Sequence, residues 1–184
     1  MADPLPSGMT ADEFLSWAEE QPGKYEFEDG EVVAMAPERI SHGEAEGEIF
    51  ARMRESIRSG RLPCQAFVDS VGVRVDDATI YQPDVLVRCG PSLPGDLNIV
   101  PDPLILVEVL SPSTGYRDVG RKLAGYFRIE SVRHYIVVDA EKRLLIHHER
   151  QADGRIVTEI IRDGTLNLDP PGLTLANVFE TLVS

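Results

Sequence analysis

Tyr81-Gln-Pro-Asp-Val-Leu-Val-Arg88 and Leu104-Ile-Leu-Val-Glu-Val-Leu-Ser-Pro112 decide the reading of this chain. Each is an apolar run of the length of a buried strand, and each carries one carboxylate, Asp84 and Glu108, where a buried strand should carry none. An ionised carboxylate in a low-dielectric interior costs several kcal/mol unless a cation or hydrogen bonds compensate it. Two such groups on strands able to lie side by side point to a divalent-metal site. Hard oxygen donors of this kind suit Mg²⁺ or Mn²⁺, and the backbone carbonyl of Val109 offers a third oxygen nearby.

Working outward, Thr10-Ala-Asp-Glu13 has the spacing of a capping box and opens a short helix that Pro22-Gly23 stops. Asp29-Gly30 between Lys24–Glu28 and Glu31–Ala36 predicts a β-hairpin, because both turn residues tolerate positive φ. Ser41-His-Gly-Glu44 has the pattern of a second capping box, and the helix behind it, running to about Ser59-Gly60, turns Ala45, Ile49, Phe50, Met53 and Ile57 to one face. His42 and Glu46 share that face, which makes them further candidates near a metal or its water. Glu44 is accounted for by the capping pattern.

Strands follow at 62–67, 70–75, 83–88 and 104–110, with Pro94, Pro101 and Pro103 marking an irregular loop before the last. A helix is predicted from Tyr116 to about Ile129 and a strand over Arg133–Asp139. Runs at Leu144–Glu149, Ile156–Ile161 and Leu166–Leu168, turned at Asp153-Gly154 and Asp163-Gly164, read as a C-terminal β-meander. A strand–helix–strand passage from the Glu108 run to Arg133–Asp139 is best satisfied by parallel pairing. The fold class is therefore α/β, a mixed β-sheet flanked by helices with an N-terminal hairpin. At 184 residues without a linker or repeat, one domain spanning 1–184 is expected.

Composition narrows the functional classes. No apolar run approaches the roughly 18 residues of a membrane span, and the first residues lack the pattern of a secretory leader. A cytoplasmic protein with no membrane partner is expected. Cys64 and Cys89 sit in strand-like text without metal-ligand spacing and are read as reduced core thiols. The net charge of −13 opposes general affinity for a polyanion, unless metal ions offset the acids and basic residues gather on one face. Two groups of arginines could do so: Arg117, Arg121 and Arg128, within about 40° of one another on a helix, and Arg52, Arg54, Arg58 and Arg61.

Gln82-Pro-Asp-Val85, Glu108-Val-Leu-Ser-Pro-Ser-Thr114 and Asp118-Val-Gly-Arg-Lys122 resemble the PD-(D/E)xK nuclease superfamily, and most closely its small bacterial branch of restriction-endonuclease-like proteins. The likeness runs from the Tyr25–Met35 hairpin and His42 to Asp139. It implies a restriction-endonuclease-like core and Mg²⁺- or Mn²⁺-dependent hydrolysis of nucleic acid, DNA above all, on a fold whose enzymes often work as homodimers. It implies that Asp84 and Glu108 hold the metal. The superfamily places a lysine two residues after the glutamate, where this chain has Leu110. In the branch resembled, the following helix supplies that ammonium, which makes Lys122 the candidate to orient the attacking water. Asp118 and Lys122 also have the spacing of an ordinary helical ion pair. A non-catalytic descendant that keeps the fold as a binding or assembly module is the rival reading, and Leu110 and the acidic balance speak for it.

Overall fold

The computed structural model describes residues 6–110, 115–162, 164–176 and 179, and of residues 115–118 the backbone alone. In chain order its elements are α1 (Ala11–Ala18), β1 (Tyr25–Glu28), β2 (Glu31–Ala34), α2 (Ile40–Gly60), β3 (Cys64–Val68), β4 (Val73–Asp76), β5 (Thr79–Tyr81) and β6 (Val85–Cys89). These are followed by β7 (Ile105–Val109), α3 (Gly115–Tyr126), β8 (His134–Asp139), β9 (Leu144–Arg150), β10 (Ile156–Ile161), β11 (Thr165–Leu168) and β12 (Leu173–Ala176).

Local chemistry accounts for the N-terminal half. Thr10 closes a reciprocal capping box with Glu13, its Oγ1 accepting from the Glu13 N–H at 3.3 Å while the Glu13 carboxylate accepts from the Thr10 N–H at 2.8 Å. Asp29 and Gly30 turn the β1–β2 hairpin at φ 49° and 85°. The second capping pattern is not used. Helix α2 has already begun at Ile40, with Arg39 as its N-cap and no side-chain capping bond, so Ser41 lies inside the first turn. Arg61 ends this helix in the left-handed conformation.

Six strands form the central sheet in the order β10-β9-β8-β7-β6-β3, and within it only β7 and β8 run parallel, joined through α3. This is the mixed α/β sheet expected from the sequence. A four-stranded sheet, β2-β1-β5-β4, carries the hairpin. Strand β5 escaped the sequence reading because three residues are too few to show a period. Of the three runs expected to form the meander, the first two pair as β9 and β10, but the third, β11, leaves them and pairs with the unforeseen β12 in a separate two-stranded sheet. Of the proposed turns, Asp163 lies outside the described residues.

Alternation along β7 sorts the core. Ile105, Val107 and Val109 face one side with α2 and the β11–β12 leucines Leu166, Leu168, Leu173 and Leu175. Leu106 faces the other with Leu86, Tyr135, Val137 and Tyr126 of α3. Glu108 therefore points to the α3 side. At the outer edge, β10 leaves Ile156, Val157 and Ile160 exposed.

One correction concerns the cysteines. Antiparallel pairing of β3 with β6 sets Cys64 directly opposite Cys89, with Cα atoms 3.9 Å apart, and they are joined in a disulfide. Twenty-five residues separate them in sequence, so the pairing is a property of the sheet that spacing could not reveal. The argument from reduced thiols to a cytoplasmic setting falls with it. Among the described residues no helix is long and apolar enough to cross a membrane.

Helix α3 approaches the four-stranded sheet through a glycine. A Cβ on Gly125 would stand 2.7 Å from Tyr81 Cε2, whereas one on Gly120 of the same helix would meet nothing within 4 Å. Gly125→Ala should therefore destabilise the chain by about 1–3 kcal/mol through overpacking. Gly120→Ala should stabilise it by about 0.5–1 kcal/mol through helix propensity alone. Urea midpoints of the two variants check this, and a Gly125→Ala variant as stable as Gly120→Ala would refute the close approach.

Candidate functional site

The site begins in the sheet register. Antiparallel pairing sets Val85 opposite Val107 and Leu86 opposite Leu106, so one step beyond the ladder Asp84 stands opposite Glu108. Residues opposite one another share a face of the sheet, which brings the two sequence-predicted carboxylates to one end of it. Asp84 is buried at 5% exposure, and its Oδ2 accepts from the Val109 N–H at 2.5 Å. It lies just before β6 and not within it, which frees its side chain from the pleat and leaves Oδ1 3.4 Å from His42 Nε2.

Lys122 meets Glu108. Its ammonium donates to Glu108 Oε1 and Oε2 at 3.0 and 3.1 Å and to Glu26 Oε1 at 2.9 Å, and it lies 5.6 Å from the centre of the Tyr81 ring. The Tyr126 hydroxyl donates to Glu108 Oε1 at 2.5 Å. Burial alone would lower the Lys122 ammonium, but the Glu108 and Glu26 carboxylates outweigh it and hold the lysine protonated well above its ordinary value. Burial pushes the Glu108 carboxyl up, against the pull of that ammonium. Leu110, at the position where the superfamily pattern has lysine, instead packs among the apolar residues of the α3 side. The Asp118 side chain lies outside those described.

The first turns of α2 bring His42 and Glu46 to the same region. Both are buried, and neither ring nitrogen of His42 makes a hydrogen bond; Nε2 lies 3.6 Å from Glu38 Oε2. Burial would lower His42, but Asp84, Glu38 and Glu46 raise it above its usual value. Glu46 Oε1 has no hydrogen-bond partner. Burial, reinforced by Asp69, Asp84 and Glu38, pushes the Glu46 carboxyl up to about 7.

Four contributors were missed by sequence reasoning. Glu26 accepts from Lys122 and also from the Gln82 N–H at 2.8 Å, so it ties the segment before Asp84 to the ammonium. Tyr126 looked like core, since its hydroxyl is invisible to periodicity. Glu38 and Asp69 lie in irregular connections, before α2 and after β3, with no pattern to mark them, and Lys24 pairs with both. Of the arginines considered for phosphate contact, Arg121 pairs with Glu28, Arg128 with Asp76, Arg52 with Glu48 and Arg58 with Glu55, and Arg54 lies over the Phe50 ring. Arg117 lies outside the described side chains.

Among the described residues the region gathers six carboxylates, Glu26, Glu38, Glu46, Asp69, Asp84 and Glu108, around Lys24, Lys122 and His42. Crowded acids, one with a buried oxygen lacking any partner, fit a divalent cation: oxygen donors are present and the negative charge is under-compensated.

A sequence profile of the family described as "Uma2: Putative restriction endonuclease" matches residues 11–178. The uncharacterized protein slr1290 of Synechocystis is 25% identical over 175 residues, covering 94% of this chain and 90% of that protein. The Synechocystis protein sll1609, also uncharacterized, is 25% identical over 157 residues, covering 83% and 88%. A solved structure described as "a putative nuclease belonging to DUF820" from Anabaena variabilis has the same fold, with a TM-score of 0.77 at 18% identity over 96% of this chain and 100% of that one.

The Glu46 environment sets a pH dependence. Its carboxyl binds a proton more tightly in the folded chain, near 7, than at its ordinary 4.5, so the folded state retains a proton that the unfolded chain has lost. In EDTA, the stability contributed by the Glu46 proton should therefore fall as pH rises from about 4.5 to about 7 and be lost above that. Glu46→Gln should flatten that slope. Urea unfolding at pH 5, 6, 7 and 8 measures it, and identical slopes in the two proteins would exclude Glu46 as its source.

Proposed function

The chain belongs to the Uma2 family of restriction-endonuclease-like proteins, and on that premise we propose that it is a divalent-metal-dependent nuclease that hydrolyses phosphodiester bonds of DNA. The observation that carries this reading is the Lys122 ammonium, brought by α3 onto Glu108 at the sheet end where Asp84 stands opposite. The charge that Leu110 cannot supply thus reaches the carboxylate pair from another element. The family description supports nucleic acid as substrate and DNA as its class.

In this assignment Asp84, Glu108 and the Val109 carbonyl hold Mg²⁺ or Mn²⁺. Such an ion, when bound, polarises a phosphoryl oxygen and makes a bound water a stronger nucleophile near neutral pH. The remaining work belongs to the chain. Lys122, fixed between Glu108 and Glu26 over the Tyr81 ring, orients the attacking water and stabilises charge developing on the phosphate. The Tyr126 hydroxyl and the Lys122 ammonium hold the Glu108 carboxylate in one orientation. The Val109 N–H does the same for Asp84. Glu46, buried on the same face of α2 as His42, acts on the metal or its water through its carboxylate, and His42 positions Asp84. As with many enzymes on this fold, a homodimer is the assembly we assign.

Labelled single- and double-stranded DNA and RNA, incubated with Mg²⁺ or Mn²⁺ and with EDTA, test the proposal. Metal-dependent cleavage of DNA is expected, abolished in Asp84→Asn and Glu108→Gln. Lys122→Met should cut the rate by on the order of 10²-fold or more. Because the ammonium is buried against two carboxylates, that variant should also lose about 3–5 kcal/mol of stability, so rates must be read well below its melting point. Wild type inert on every substrate would replace the nuclease with a binding or assembly module on the same fold.

A further inference from the structure

We propose that the chain binds a second divalent cation between Glu38, Glu46 and Asp69, beside the ion assigned to Asp84 and Glu108 and independent of whether that site cleaves nucleic acid. One carboxylate oxygen from each of the three residues lies within 4.8 Å of the others. Oxygen ligands sit about 2.0–2.6 Å from Mg²⁺, Mn²⁺ or Ca²⁺, so two donors on one ion stand up to roughly 4–5 Å apart, and a single cation spans this cluster.

An acidic cluster alone would not require an ion. The second observation is Glu46 itself, which is 5% exposed with Oε1 making no hydrogen bond. A buried carboxylate oxygen left without a partner carries its full desolvation cost. It also belongs to the helix face that should be apolar, between Ala45 and Ile49. The bland account is that Lys24 serves as the counter-ion. Its ammonium does reach Asp69, and Glu38 at 3.5 Å, yet Glu46 Oε1 stays unpartnered. With its side chain 39% exposed, Lys24 can swing into solvent and cede the two carboxylates to a metal.

Glu38 adjoins both sites. One of its oxygens takes part in a second close group with His42 and Asp84, so it stands between the proposed ion and the carboxylate assigned to the first. All three donors of the new site are hard oxygens, the ligand set that suits Mg²⁺, Mn²⁺ or Ca²⁺.

Mn²⁺ alone is the probe. Calorimetric titration of the wild-type chain should give two ions per chain, and anomalous diffraction from crystals soaked in Mn²⁺ should place one peak among Glu38, Glu46 and Asp69. Glu46→Gln and Asp69→Asn should each weaken one ion by on the order of tenfold or more while the other stays, the second variant guarding against a folding defect in the first. Asp84→Asn and Glu108→Gln should spare the ion in the cluster, which separates this proposal from the nuclease assignment. Lys24→Ala, by removing the competing ammonium, should tighten the cluster ion roughly two- to fivefold. One ion per chain, no anomalous peak in the cluster, loss of all Mn²⁺ binding in Asp84→Asn, or weaker binding in Lys24→Ala would each overturn it.

Discussion

A buried ammonium must be matched by carboxylates or it unfolds what surrounds it, and Lys122 meets that condition with partners from two different sheets. Glu108 belongs to β7 of the six-stranded sheet and Glu26 to β1 of the four-stranded one. One cation on α3 therefore fixes three layers at once. The constraint continues as a ring. Glu26 also takes the Gln82 N–H, Gln82 leads two residues on to Asp84, Asp84 takes the Val109 N–H, and Val109 follows Glu108 in β7. The helix can come this close because Gly125 presents no Cβ to Tyr81 one turn further on. Removing any member leaves a neighbour buried without its partner, which is why the ring holds its geometry.

The acidic balance takes on a different meaning in this setting. As a single number, −13 repels nucleic acid. Six of the acids are gathered around one strand end, facing Lys24, Lys122 and His42. Charge concentrated in that way is the kind a divalent ion neutralises most effectively, and its effect on a phosphate depends on whether the ion is present. Arg52 and Arg58 of α2, Arg121 of α3 and Arg128 just beyond it are, by contrast, each paired with a nearby acid and contribute less to long-range attraction than their number suggests.

What the sequence revealed follows from how far each signal reaches along the chain. The carboxylates before β6 and in β7 were legible because an apolar run makes a lone acid conspicuous, and the β7–α3–β8 passage because parallel pairing needs a crossover. Glu46 and His42 stood out on an apolar helix face. Lys122 came from resemblance, since its spacing alone describes a surface ion pair. Glu26, Glu38 and Asp69 were illegible for a physical reason: each is an ordinary acid in a short strand or irregular connection until the fold brings it to Lys122, Lys24 or Glu46. The same holds for the Cys64–Cys89 disulfide, which exists only through the register of β3 and β6.

The register joining β6 to β7 also determines where this chain tolerates changes of length. Asp84 faces Glu108 because Val85 faces Val107, and side chains alternate sides with each residue. Inserting one residue between Asp84 and Val85 would carry Asp84 away from its place opposite Glu108 while leaving every apolar residue of β6 in place. The exposed stretch from Pro94 to Asp96 lies outside that ladder, and extra residues there cost only the slowly growing entropy of a longer loop. This chain can thus lengthen before β7 without moving the site, but not at the junction of Asp84 with β6.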